Sequence, residues 1–243
     1  EESNNDNSET SSSEIHETEE TIKDANAHSS TAESGNRGPR GTKLVVRPTR
    51  PEALAASRLE LPVCEKEDEI MQAVNEEDVI VVTGSTGTGK TTQVPQFLYE
   101  AGFGDPKSTD YKGLIAVTQP RRVAAISCAR RVSEELGVDL GDAVGYQVRH
   151  KAKTSKETRI KFVTDGVLLR EAQEDLLLTR FSAVIVDEAH ERSINTDLLL
   201  TLLSRTVVLR RDREDLPRLK VVVMSATLDV QGIFDGPAPL FKE

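Results

Sequence analysis

Two short groups of residues, about a hundred positions apart, have the types and spacing to handle a phosphorylated ligand. The first is Gly84-Ser85-Thr86-Gly87-Thr88-Gly89-Lys90-Thr91, which fits G-x-x-x-x-G-K-[ST]. Glycines free the backbone to turn its amides inward on an anion. A helix opening at Lys90 would add unpaired N–H groups and the positive end of its dipole. Lys90 would then reach the outer phosphates of a nucleotide, and the Thr91 hydroxyl would ligate Mg²⁺. The second group is Asp187-Glu188-Ala189-His190. Asp187 suits a magnesium shell, through water, and Glu188 suits polarising a water for attack on phosphorus. Helix capping would also explain Asp187-Glu188 taken alone. Spacing does not decide whether His190 is a base or a ligand.

Both groups need strands to deliver them. Val79-Ile80-Val81-Val82-Thr83 runs into the glycine loop, and Ala183-Val184-Ile185-Val186 runs into the acid pair. Further strands are expected at Leu114–Thr118, Ala143–Val148, Arg159–Val163 and Lys220–Met224. Helical patterns lie at Lys90–Glu100, Arg122–Leu136, Gly166–Leu178 and Thr196–Leu209. This alternation predicts an α/β fold, a mainly parallel sheet with helices on both faces. Ligands in such sheets bind at the C-terminal strand ends, so Asp187 is expected on a strand neighbouring the glycine loop.

The 243 residues carry a net charge of −10, which at first argues against a nucleic-acid partner. Residues 1–34 account for most of it, with ten acidic groups against Lys23 alone, leaving 31 acidic and 30 basic groups elsewhere. Residues 1–43 are Ser-, Asn- and Glu-rich and are read as a disordered acidic tail. Residues 44–60 are read as a linker with a short helix, and Ile70, Met71 and Val74 mark a second helix before the first strand. Cys64 and Cys128 lack metal or redox spacing. No run of 18 apolar residues suggests a membrane span, and no membrane partner is expected. Lys151, Lys153, Lys156, Arg159 and Lys161 read first as a solvated charged face. The first residue is Glu rather than Met, so a fragment of a longer protein is expected.

Asp187-Glu188-Ala189-His190-Glu191-Arg192 resembles the signature of the DEAH-box RNA helicases. Thr118-Gln119-Pro120-Arg121-Arg122-Val123-Ala124-Ala125 is similar to that family's motif Ia, and Thr164-Asp165-Gly166-Val167-Leu168-Leu169-Arg170-Glu171 to its motif Ib. Ser225-Ala226-Thr227 is similar to motif III, and Gln93-Val94-Pro95-Gln96 follows the loop as in family members. The likeness covers about Leu61 to Phe241. It implies a first RecA-like domain over residues 61–243, with a second such domain and C-terminal domains outside this chain. The implied activity is ATP hydrolysis coupled to movement on single-stranded RNA, with ATP and Mg²⁺ as cofactors and a nearly inactive isolated fragment.

The resemblance also assigns roles. The nucleotide site takes Gly84, Gly87, Thr88, Gly89, Lys90, Thr91, Thr92, Asp187, Glu188 and His190, with Glu188 and Lys90 catalytic. Arg131 corresponds to an arginine that stacks on adenine, although an exposed helix arginine is the plainer reading. Arg121, Arg122, Thr164 and Asp165 would grip the RNA backbone, one arginine serving instead in an internal ion pair if it finds a carboxylate. Ser225 and Thr227 would couple the phosphate state to domain movement. One departure is Ser85, where family members usually have Glu. Gln96–Phe103 and the run from Thr196 to Leu209 resemble the nucleolar branch of the family acting in small-ribosomal-subunit assembly. That implies pre-ribosomal RNA, protein activators and a nuclear, nucleolar setting. A spliceosomal member, or a nucleotide-gated scaffold that needs no turnover, is the alternative.

Overall fold

A computed structural model describes residues 46–227 and 240–241; the acidic tail read over residues 1–43 lies outside them. Seven strands form one sheet in the order β1-β7-β6-β2-β5-β3-β4. They are β1 (Val79–Thr83), β2 (Leu114–Gln119), β3 (Val144–Val148), β4 (Lys151–Lys153), β5 (Ile160–Thr164), β6 (Phe181–Val186) and β7 (Lys220–Ser225). Every pairing is parallel except β3 with β4. β4 was not expected. Its three exposed residues carry no apolar alternation, and it forms only as the return arm of a hairpin on Tyr146–Val148.

Residues two apart on a strand share a face, so the interior strands feed two core layers. On one side Ile115, Val117, Ile185, Val222 and Met224 meet helices α2 (Glu67–Glu76), α3 (Lys90–Glu100) and α4 (Arg122–Leu136). On the other, Ala116, Val184, Val186, Val221 and Val223 meet α5 (Asp165–Glu174) and α6 (Ile194–Arg211). Strands buried on both faces explain the unbroken apolar runs. α5 stops four residues short of the expected Leu178. The Asp175 carboxylate takes the Leu177 and Thr179 amides at 3.1 and 2.7 Å, offering the chain a turn in place of a further helical one. α6 begins where the Ser193 hydroxyl accepts from the Thr196 amide at 3.1 Å.

The stretch read as a linker contains α1 (Glu52–Leu59) and is docked on the domain. The Val46 amide donates to the Glu100 carbonyl at 3.0 Å, and Arg50 pairs with Glu100 and Gln96. Arg210, fully buried near the end of α6, gives its guanidinium to the carbonyls of Leu178, Phe181 and Pro217. It thereby ties the two loops that enter β6 and β7 to one helix.

Candidate nucleotide-binding site

β1 ends at Thr83, and the chain turns through Gly87 and Gly89 at φ +88° and +93°, a region that disfavours side chains. Lys90, buried at the start of α3, folds its ammonium back into this loop. It donates to the carbonyls of Gly84 and Ser85 and to Thr88 Oγ1 at 3.3 Å. Burial pulls the Lys90 pKa below its ordinary value, and the nearby Asp187 and Glu188 carboxylates oppose that shift. Gly89 has no side chain to cap α3, so the first-turn amides and the dipole face the same loop.

The Thr91 hydroxyl donates to Asp187 Oδ2 at 2.6 Å, closing a gap of 96 residues. Asp187 also accepts from Gln119 Nε2 at the end of β2 and from the Glu188 amide at 2.9 Å. The expectation of a neighbouring strand is corrected here: β7 lies between β1 and β6, and the glycine loop passes the end of β7, where the Gly84 amide meets the Ser225 carbonyl, to bring Thr91 to Asp187. Burial pushes the Asp187 carboxyl up to about 6, although the Thr91 hydrogen bond favours its ionised form. The three hydrogen bonds do not offset the burial of Asp187, so added positive charge would favour its ionised form. A divalent cation would supply that charge, and hydroxyl and carboxylate oxygens are donors that suit Mg²⁺.

Glu188 sits at φ +53° and Arg192 at +50°, a left-handed conformation uncommon for such residues and frequent at working sites. The turn between them, Ala189–Glu191, carries His190 toward β7. His190 Nδ1 accepts from the Ala226 amide at 3.3 Å, which leaves Nε2 to carry the proton 3.4 Å from Glu188 Oε2. Ser225 donates through Oγ to the Thr227 carbonyl at 2.7 Å, and its own carbonyl receives the Gly84 amide at 3.1 Å. The acid pair, the Ser225–Thr227 turn and the phosphate loop are thus joined by direct contacts.

The other expected residues fall in two places. Arg122 and Thr164 line a groove of about 710 Å³ together with Gln147, Arg149, His150 and Arg170. Arg121 points away to an exposed ion pair with Glu191 at 3.1 Å. Asp165 borders the groove, but its carboxylate is buried and accepts from Thr196 Oγ1 at 2.6 Å, which fixes the start of α6. This internal role takes Oδ2, while Oδ1 has no hydrogen-bond partner among the described residues. Arg131 is half exposed and donates through Nε to Glu135 at 2.6 Å. Gln119, Gln93 and Glu135 carry much of the site's hydrogen bonding and were not singled out as site residues. Gln119 was visible as the polar end of an apolar strand and Gln93 as the start of the run that follows the loop; for Glu135 no spacing points to the site.

A parallel sheet with this loop after its first strand and an acid pair within reach defines a RecA-like P-loop domain. The DEAD/DEAH box helicase family profile matches residues 65–234, and the chain belongs to that family. It is 46% identical over 217 residues to the Arabidopsis thaliana "ATP-dependent RNA helicase DEAH13", covering 82% of this chain and 18% of that protein. Identity to the Saccharomyces cerevisiae "Probable ATP-dependent RNA helicase DHR1" is 52% over 187 residues, 75% of this chain and 15% of the relative. The human "Probable ATP-dependent RNA helicase DHX37" is 51% identical over 191 residues, 76% of this chain and 16% of its own length. The chain therefore spans less than a fifth of the length of each of these three relatives.

Proposed function

We propose that this chain is the first motor domain of an ATP-dependent RNA helicase, and that it binds and hydrolyses ATP in cooperation with a second RecA-like domain. The observation that carries this reading is the 2.6 Å contact of Thr91 with Asp187, with the Lys90 ammonium in the adjoining loop. Mg²⁺, when bound, would neutralise charge on the outer phosphates, and Thr91 and Asp187 are the residues that would hold it. Lys90 is released from the loop carbonyls to the phosphate oxygens, where its charge counts most as the transition state forms. Glu188 orients the attacking water and takes its proton, and the His190 contact limits where its carboxylate can point. Arg131 leaves or shares Glu135 to lie on the base.

Single-stranded RNA follows the groove at Arg122 and Thr164, where contacts to phosphate and sugar set register without reading sequence. The His190–Ala226 and Ser225–Gly84 contacts connect phosphate occupancy to the Ser225–Thr227 turn. The run around Gln96–Phe103 and Thr196–Leu209 supports pre-ribosomal RNA as the substrate, in nucleolar assembly particles with protein activators. The test is RNA-stimulated ATP turnover by the full-length protein. Lys90→Ala and Glu188→Gln should each abolish it, Glu188→Gln while still binding nucleotide. Turnover that survives Glu188→Gln would overturn the assignment of the general base.

A further inference from the structure

The segment 46–63 is more than an attachment to the domain. Its end closes directly on the phosphate loop: the Val63 amide donates to the Thr88 carbonyl at 3.2 Å, and Leu61 and Val63 pack against Gly89. Arg58, nearly buried, lies over the Phe97 ring at 5.3 Å with Glu67 and Glu100 each 3.5 Å away. Its Nε donates to Gln93 Oε1 at 2.8 Å. Gln93, itself fully buried, gives its Nε2 to Thr92 Oγ1 at 2.9 Å and to Glu135 at 2.8 Å. The orientation of this amide follows from its partners. A guanidinium only donates and a carboxylate only accepts, so Oε1 must face Arg58 and Nε2 must face Glu135.

We infer that Arg58 is a positioning residue for nucleotide binding, acting through Gln93 on the first turn of the phosphate-loop helix. Gln93 is the junction. One side reaches the Thr92 hydroxyl, which donates in turn to the Gly89 carbonyl at 3.2 Å. The other reaches Glu135, which also receives Gln96 at 2.7 Å and Arg131 at 2.6 Å. The segment 46–63 therefore acts as a strap that sets the loop, and through Glu135 it sets the arginine proposed to meet the base. Linkage makes the effect mutual: nucleotide that requires this arrangement must stabilise the docked strap. The inference rests on the nucleotide reading above and adds a positioning element to it.

The experiment uses the full-length protein. Arg58→Ala and Gln93→Ala should raise the KM for ATP about tenfold, the loss of one charge-assisted hydrogen bond, with a smaller change in kcat. Gln93→Ala leaves the ion pairs of Arg58 and Arg50 in place, so it tests the link even if Arg58→Ala does not fold. Adding Mg²⁺ and a non-hydrolysable ATP analogue to the wild type should slow amide exchange at Val63. If wild-type turnover is lost in Lys90→Ala while Arg58→Ala and Gln93→Ala both keep the wild-type KM and only melt earlier, the strap is a plain structural staple and this inference alone falls. If the wild type neither binds nor hydrolyses ATP, the nucleotide reading falls first and the inference with it.

Discussion

Alanine at Gly87 and alanine at Gly89 are equally strained by the backbone but not by their neighbours. Both positions lie near φ +90°, where a side chain costs about 1–2 kcal/mol. A Cβ at Gly87 would meet nothing within 4 Å. One at Gly89 would lie 3.0 Å from Leu61 Cδ1 and 3.2 Å from both Leu61 Cβ and Val63 Cγ1. Relieving such contacts means moving the strap, and overpacking of this kind costs a further ~1–3 kcal/mol. Gly87→Ala should therefore destabilise the chain by about 1–2 kcal/mol, and Gly89→Ala by roughly 2–5 kcal/mol. Urea denaturation reads both as shifts in midpoint at constant slope. The excess at Gly89 should be local, so the Val63 amide should exchange faster in Gly89→Ala and not in Gly87→Ala. Leu61→Ala should also cost less in the Gly89→Ala background than in the wild type. Equal losses at the two glycines, with Val63 exchange unchanged in both, would refute the packing of strap on loop.

Glu135 is buried, which by itself would raise its pKa, yet hydrogen bonds from Gln93, Gln96 and Arg131 bring it below the ordinary value. A depressed carboxylate contributes stability above its unfolded pKa and loses it as pH falls through the folded value. Acid titration of stability should accordingly show a steeper loss below about pH 4.5 in the wild type than in Glu135→Gln. Gln119→Leu removes one donor from Asp187 and should weaken Mg²⁺-dependent nucleotide binding by ~10-fold or more, read by titration calorimetry. Arg210→Met leaves the Leu178, Phe181 and Pro217 carbonyls without their donor and should cost roughly 3 kcal/mol in urea denaturation, with nucleotide affinity unchanged.

The elements that deliver the site were legible because their signals are local. A β-branched run, a glycine-spaced loop and a carboxylate pair at a strand end can each be read within its own window of a dozen residues. Strand order was not legible, since buried parallel strands look alike, and nothing between residues 79 and 225 marks β7 as the strand that separates β1 from β6. β4 was missed because its pairing, not its composition, makes it a strand. The polar junction at Gln93 was hidden for a different reason. Its partners Arg58 and Glu135 stand 35 and 42 positions away, and each reads as an ordinary charged residue of an amphipathic helix until the fold brings them together. Asp165 shows the converse, a motif residue at the groove with one carboxylate oxygen already taken by Thr196.

The most direct measurement is a double-mutant cycle on Mg²⁺-dependent binding of a non-hydrolysable ATP analogue, using wild type, Lys90→Ala, Asp187→Ala and the double variant. If the loop and the acid pair hold one magnesium-bound triphosphate, the two losses should be non-additive by about 1–3 kcal/mol, and the coupling should vanish without Mg²⁺. Strictly additive losses, or coupling indifferent to Mg²⁺, would contradict the shared site.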